Sequence, residues 1–301
     1  MMDFFKHSIS NWVKYDKYEY RKDSDGTLYI MPTDDAVPTI YNPLKNTEQI
    51  VVDALNIGAK CMSREKDDII QKDILKFVND YGLFGIMTAM PTTTNFMNYE
   101  YVYFAKKFSN KESMPSSEYA DLFFPFEKPD IKRGADNSVG LSVEGDTAMM
   151  AIALTMSERP LAVNMEFQRI YAEEYDWVKG TFKDLSFTFI TTQMIYDEDV
   201  SLNEQQKDLY KAALNSLENF APTFRIMPTD NQPTMVWEFS SLLSVIQIML
   251  CFMLTDEKNT IKLCKKCHKV FLASRSNASF CSGKCKNQYN VYKSRAKGKK
   301  K

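Results

Sequence analysis

The chain has 301 residues, 44% hydrophobic and 26% charged, the proportions of an ordinary globular protein with material for one large or two modest domains. Its net charge of −1 conceals an asymmetry: residues 262–301 hold 13 of the 38 Lys and Arg and no Asp or Glu, so the rest carries 25 basic against 39 acidic side chains, a net of −14. Residues 1–6 lack an apolar run behind a basic start, and the most apolar stretch, 242–254, is short and contains Ser244 and Gln247; no secretory leader or membrane span is expected, and a cytoplasmic location follows as the expectation.

In chain order, strands are expected at 18–22 and 27–31, flanking Asp25-Gly26, a pair suited to a hairpin turn. A helix is predicted over 47–59. Another is predicted over 65–80, where Ile70, Ile74, Phe77, Val78 and Tyr81 recur on one face and Gly82 can supply a left-handed cap. Residues 99–108 read as a helix. From 108 to 148, Pro115, Pro125, Pro129 and a polar loop at 134–137 predict an irregular, mobile excursion. One long helix or two should cover 167–196, with Gly180 as the point of division. Ser201 and Glu204 form a capping-box pattern that opens a helix to 217. A second hairpin from 224–227 and 235–238 precedes an apolar helix over 241–254. The expected fold class is α+β: a mainly helical, acidic amino-terminal domain with small β-hairpins (1–258), which senses or assembles, and a small carboxy-terminal unit (259–301).

That second unit carries the chemistry. Four of the six cysteines follow the spacing Cys264-x2-Cys267-x13-Cys281-x3-Cys285. Two close pairs across a short spacer can converge on one tetrahedral ion, which points to Zn2+. A Cys-x2-Cys knuckle turns both thiolates toward one point. The spacer 270–280 is expected to form a small hairpin, and Ser282-Gly283 to start a helix with Cys285 in its first turn, where amide dipoles favour a thiolate. Knuckle, hairpin and helix describe a treble-clef-like zinc finger. The segment needs the ion: its few large apolar residues cannot offset about 1–2 kcal/mol per residue of ordering entropy, whereas zinc contributes on the order of 10 kcal/mol. A redox dithiol pair is the competing use of such cysteines, without an enzyme-like context here. His268 is expected at the surface, and Cys61 and Cys251 are expected to be buried small hydrophobes.

The helix after Cys285 should place Lys286, Asn290, Lys293 and Lys297 on one face and Lys284, Gln288 and Arg295 on the other, with Tyr289 and Tyr292 between. The tyrosines either pack on the zinc core or stack on bases. Such a helix lays cations along phosphates while Asn and Gln reach base edges. Basic charge extends into the finger itself. The candidate nucleic-acid contacts are therefore Lys265, Lys266, Arg275, Lys284, Lys286, Asn287, Gln288, Lys293, Arg295 and Lys297. A solvated tail, or docking on an acidic protein surface such as this chain's own body, are the competing readings of the same charge.

Cys264-Lys265-Lys266-Cys267, Phe271, Phe280-Cys281-Ser282 and Cys285-Lys286-Asn287-Gln288 together resemble the CGNR-type zinc finger of bacterial proteins. The resemblance covers roughly residues 240–297. It implies a finger that binds DNA in transcription regulators behind an amino-terminal sensing region. The signature's Gly and Arg after the last cysteine are here Lys286 and Gln288, while Asn287 is kept.

The large domain shows no phosphate loop and no His-Glu-x-x-His. The only histidines are His7 and His268. Asp34-Asp35, Asp67-Asp68 and Asp197-Glu198-Asp199 could hold a metal for nuclease chemistry, but each adjoins a proposed turn or helix start, where carboxylates have local uses. The sequence thus points to a DNA-binding regulator. RNA or single-strand binding in a defence or stress response, and an enzyme targeted by the finger, stay open. A homodimer, and a small ligand or protein at residues 1–258, are the further partners it allows.

Overall fold

Short strands come first. The computed structural model describes residues 8–9, 12–63, 65–93, 96–128, 168–196, 201–215, 223–228, 232–256, 261–275 and 277–298. Strands Ser8–Ile9 (β1), Trp12–Tyr15 (β2), Tyr18–Lys22 (β3), Leu28–Pro32 (β4) and Pro38–Tyr41 (β5) open the chain. β2 pairs with β5, and β3 with β4, both antiparallel. The β3–β4 turn is held by the Asp23 carboxylate, which accepts from the backbone N–H of Asp25 and of Thr27 (both 2.9 Å), while Gly26 takes φ +84°. That is the hairpin the Asp-Gly pair predicts.

Helix Thr47–Met62 (α1) runs three residues past its expected end and forms the axis of the core. It crosses the long helix Tyr175–Tyr196 so closely that a Cβ on Gly58 would stand 1.9 Å from the carbonyl oxygen of Phe182. Helix Asp67–Tyr81 (α2) buries Ile70, Ile74, Phe77 and Val78, the predicted face. Its cap differs from the expectation. Gly82 has φ +88° and ψ 178°, an extended positive-φ conformation open to glycine rather than the left-handed helical one, and a Cβ there would meet the Val13 carbonyl oxygen at 2.9 Å.

A short helix, Ile86–Ala89 (α3), follows, and then a correction. Residues 99–108 are not helical. Tyr101–Phe108 is a strand (β6) paired antiparallel with Lys111–Pro115 (β7). Val102 and Phe104 turn inward while Tyr101 and Tyr103 face out, the period-2 alternation of a half-buried strand. Ser109 and Asn110 both adopt positive φ (48° and 64°), as a two-residue hairpin loop requires. Strand β7 and helix Ser116–Asp121 (α4) occupy the first part of the stretch where an irregular excursion is expected, a correction to that expectation. Its centre, including Pro129 and 134–137, lies outside the described residues.

Glu173–Glu174 (β8) pairs with β4 and leads into Tyr175–Tyr196 (α5). α5 is one helix: Gly180 sits within it and does not divide it. The next helix, Glu204–Asn215 (α6), is capped two residues later than expected. The Asn203 side chain accepts from the Gln206 N–H (2.8 Å), and the Gln206 side chain accepts from the Asn203 N–H (3.1 Å). This reciprocal box uses amides in place of the Ser201–Glu204 pair. Thr223–Pro228 (β9) and Pro233–Glu238 (β10) form the second hairpin, with β1 added parallel to β10. Helix Leu242–Thr255 (α7) is capped by Ser241, whose hydroxyl accepts from the Ser244 N–H, and buries its apolar side on the same core.

The result is a mixed helix-and-strand fold with small, mainly antiparallel sheets around helices α1, α2, α5 and α7. Ile50, Leu55, Ile74, Phe77, Phe84, Phe182, Phe189 and Ile246 fill the centre. A carboxyl group sits among them. Glu173 is fully buried and accepts from the Phe84 N–H (3.0 Å), the Ile86 N–H (2.8 Å) and the Tyr171 hydroxyl (2.7 Å). Burial pushes its carboxyl pKa up, and those donors pull against it.

Candidate metal centre

The finger begins with Ile261–Leu263 (β11), which leads into the knuckle. The Cys264 N–H donates to the Lys269 carbonyl and the His268 N–H to the Cys264 carbonyl, both at 2.9 Å, and His268 closes the turn with φ 56°. Val270–Leu272 (β12) then pairs antiparallel with β11. The small hairpin therefore straddles the knuckle, with its second strand at the start of the 270–280 spacer, rather than lying within that spacer. The spacer turns back at Arg275–Ala278, and the Lys265 N–H donates to the Ser279 carbonyl at 3.0 Å, bringing the second cysteine pair alongside the first.

Helix Gly283–Gly298 (α8) starts where the Ser-Gly pair predicts. The Ser282 hydroxyl accepts from the Cys285 N–H at 3.2 Å, an N-cap bond that fixes Cys285 in the first turn. The four sulfur atoms of Cys264, Cys267, Cys281 and Cys285 converge within 4.8 Å of one another. Cys281 Sγ is 3.6 Å from both Cys267 Sγ and Cys285 Sγ. An ion with metal–sulfur bonds of about 2.3 Å sets tetrahedral sulfur–sulfur edges near about 3.8 Å, whereas a disulfide requires about 2.05 Å. The spacing fits an ion shared by four thiolates and no pair is a disulfide. Four soft, tetrahedral donors suit zinc.

Electrostatics divide the quartet. Burial opposes ionisation of Cys264, but the backbone N–H groups of Cys281, Cys267 and Lys266 outweigh it and pull the thiol down to about 6. Burial and the neighbouring thiols push Cys281 up to about 12. Burial also raises Cys267. Cys264 is thus favoured as a thiolate, and a divalent cation would supply the charge that lets Cys267 and Cys281 ionise.

The finger is fixed to the body by its hairpin. Asn56 on α1 donates to the Val270 carbonyl (3.0 Å) and accepts from the Val270 N–H (2.9 Å). Ile261 and Val270 join the hydrophobic core built by α1, α2, α5 and α7. Nothing in the sequence around Asn56 marks it as a partner 214 residues away. Helix α8 is exposed: Lys284, Lys286, Asn287, Gln288, Lys293 and Arg295 all face solvent, as do Lys265 and Arg275. Lys297 falls in its last turn. Lys266 is half-buried, with its ammonium 4.3 Å above the Tyr292 ring. The two tyrosines part company, since Tyr289 packs on Phe280 at 5.1 Å between ring centroids while Tyr292 stays 59% exposed.

The other candidates are placed plainly. His268 is exposed. Cys61 and Cys251 are half-buried rather than buried, and burial raises both thiols. Asp34 pairs with Arg21, Asp35 with Lys17, and Asp67 with Lys179 and the Tyr175 hydroxyl. Asp197, Glu198 and Asp199 lie outside the described residues. Among the described residues, the cysteine quartet is the one group of three or more Cys, His, Asp or Glu whose ligand atoms converge. None of the described helices is long and apolar enough to cross a membrane. Compared with protein-family models, with curated proteins and with solved structures, the chain matches none of them.

Proposed function

We propose that this is a zinc-dependent nucleic-acid-binding protein, with duplex DNA the favoured partner. The observation that carries the reading is a 16-residue helix rooted in four converging thiols, its Lys284, Lys286, Asn287, Gln288, Asn290, Lys293 and Arg295 side chains exposed, on a segment with 13 basic residues and no acidic one. A knuckle set within a small hairpin and followed by a helix supports the treble-clef-like reading of the finger, and the CGNR-type resemblance adds a role in transcription regulation. Zinc supplies a tetrahedral cross-link and no reaction. Lys284, Lys286, Lys293, Lys297 and Arg295 neutralise phosphates and displace counterions, Asn287 and Gln288 reach base edges, and Lys265, Lys266 and Arg275 widen the footprint. Residues 1–258 sense or assemble, in a protein of the cytoplasm.

With about five phosphates contacted, the logarithm of duplex affinity falls with the logarithm of salt at a slope near about −4 to −5. A titration of zinc-loaded protein with duplex DNA at several salt concentrations measures it, and a slope near zero ends the proposal. Replacing Lys293 and Arg295 together by Ala should flatten the slope by about 2. A second reading draws on the exposed ring of Tyr292, which offers a stacking platform for an unpaired base. Competition among duplex DNA, single strands and RNA separates the two, and a preference for single strands moves the assignment to the second.

A further inference from the structure

A cleft of about 600 Å³ lies between α1 and α2 of the body and the knuckle of the finger. Its two walls differ in charge. The body wall offers three carboxylates against two ammonium groups: Lys60 is committed to Asp73 and Lys76 to Asp80, both at 2.5 Å, while Asp53 accepts from the Tyr81 hydroxyl at 2.7 Å. The finger wall offers His268 and Lys269. Both are exposed, and among the described residues neither side chain has an ion pair or hydrogen bond. Ile57, Ala59 and Phe77 supply the apolar part of the lining.

An uncommitted cation facing an excess of carboxylate suits a dipolar guest. An anionic group would meet the Lys269 ammonium, and hydrogen-bond donors at the other end would meet Asp53 and Asp80. The volume is in the range of small-molecule sites, about 300–1,000 Å³, and far exceeds what a bare inorganic anion needs. We propose that this cleft binds a small dipolar organic molecule of mononucleotide size, its anionic group on Lys269 and its amino-bearing end on the carboxylates of α1 and α2. The guest would sit at the joint between finger and body, because Asn56, which bridges to Val270, and the ligand Cys267 line the same cleft. Occupancy therefore clamps the finger to α1. The inference stands apart from the nucleic-acid reading, since no residue of α8 lines the cleft.

Isothermal titration of the zinc-loaded full chain tests it with adenosine monophosphate, uridine monophosphate and inorganic phosphate as probes. Adenosine monophosphate should bind with one equivalent per chain and raise the thermal midpoint. Uridine monophosphate, which lacks the exocyclic amine, should bind about tenfold more weakly, and phosphate more weakly still. Lys269→Ala should weaken adenosine monophosphate by about tenfold with zinc content and circular dichroism unchanged, and Lys269→Arg should keep most of the affinity. No heat from adenosine monophosphate at millimolar concentration overturns the proposal. So does equal binding of any two probes, or unchanged binding to the Lys269→Ala variant.

Discussion

The body and the finger reach order by different means. In the body, aromatic and aliphatic side chains from four helices close on one another, and Ile50, Ile74, Phe182 and Phe189 have no solvent exposure at all. In the finger, only Ile261, Cys264 and Val270 are buried among the described residues from 261 to 298. Two of those three, Ile261 and Val270, are buried as part of the body's core. Beyond Val270 no described residue of the finger is buried, so its spacer and helix lean on the converging cysteines and on the Phe280–Tyr289 ring contact. Burial of apolar area fixes the first region whatever the metal status; the second is expected to depend on an ion at the cysteines.

Metal removal is the strongest way to break that comparison. Cys264→Ser takes away the one buried thiol of the quartet, which backbone N–H groups favour as a thiolate. Structural zinc contributes on the order of 10 kcal/mol to a finger of this kind. The variant should lose one equivalent of metal and the helical signal of α8, while the near-ultraviolet signal of the body's aromatics persists. If the body melts with the finger, the two regions are one cooperative unit. The opposite experiment loads the body. Gly58→Ala drives a methyl group into the Phe182 carbonyl, where α1 and α5 touch. A loss of about 3 kcal/mol in urea denaturation is expected, with zinc stoichiometry preserved.

Glu173 sharpens the picture of the body, because its core is not purely apolar. Glu173→Gln puts an amide NH2 where backbone N–H groups and a hydroxyl converge, and should cost about 2 kcal/mol. The pH dependence has a definite sign. Burial raises the folded-state pKa above 4.5, so the folded protein keeps its proton where the unfolded chain has lost it. Stability then falls as pH rises from about 4.5 through the folded value. Thermal midpoints measured across that window should decline in the wild type and decline less steeply in Glu173→Gln, where the burial-raised carboxyls of Glu174 and Asp184 still contribute.

The finger was far more legible than the body. Its ligands sit close in sequence, so spacing alone brings Cys264, Cys267, Cys281 and Cys285 together. Ser282-Gly283 announces the helix that carries the last of them. In the body, helix α2 was legible from its periodicity and α1 as a predicted helix over 47–59. β6 was not, because Tyr101 to Phe108 has apolar residues at spacings that suit a helix as well as a strand, and the deciding signal was the Ser109-Asn110 turn. Asn203 and Gln206 were hidden by a better-known Ser–Glu pair two residues earlier. Asn56 and Glu173 were invisible for a deeper reason: each acts on a partner at least 87 residues away, and no local pattern encodes such a meeting.

The smallest expected effect probes a position where the sequence signal pointed the wrong way. Gly180 suggested a break, yet it lies inside α5 with nothing within 4 Å of where a Cβ would stand. The helix continues because Phe182, Leu185 and Phe189 are buried on its inner face and hold it against α1. Packing overrides a local preference of about 1 kcal/mol. Gly180→Ala should therefore stabilise the protein by about 0.5–1 kcal/mol, mainly by narrowing the unfolded ensemble. Because α5 belongs to the body, the gain should appear in urea denaturation of both the zinc-loaded and the metal-free protein. A gain confined to the metal-loaded form would mean that the finger's ion reaches through α1 into α5, and that the two regions are less separable than their means of stabilisation suggest.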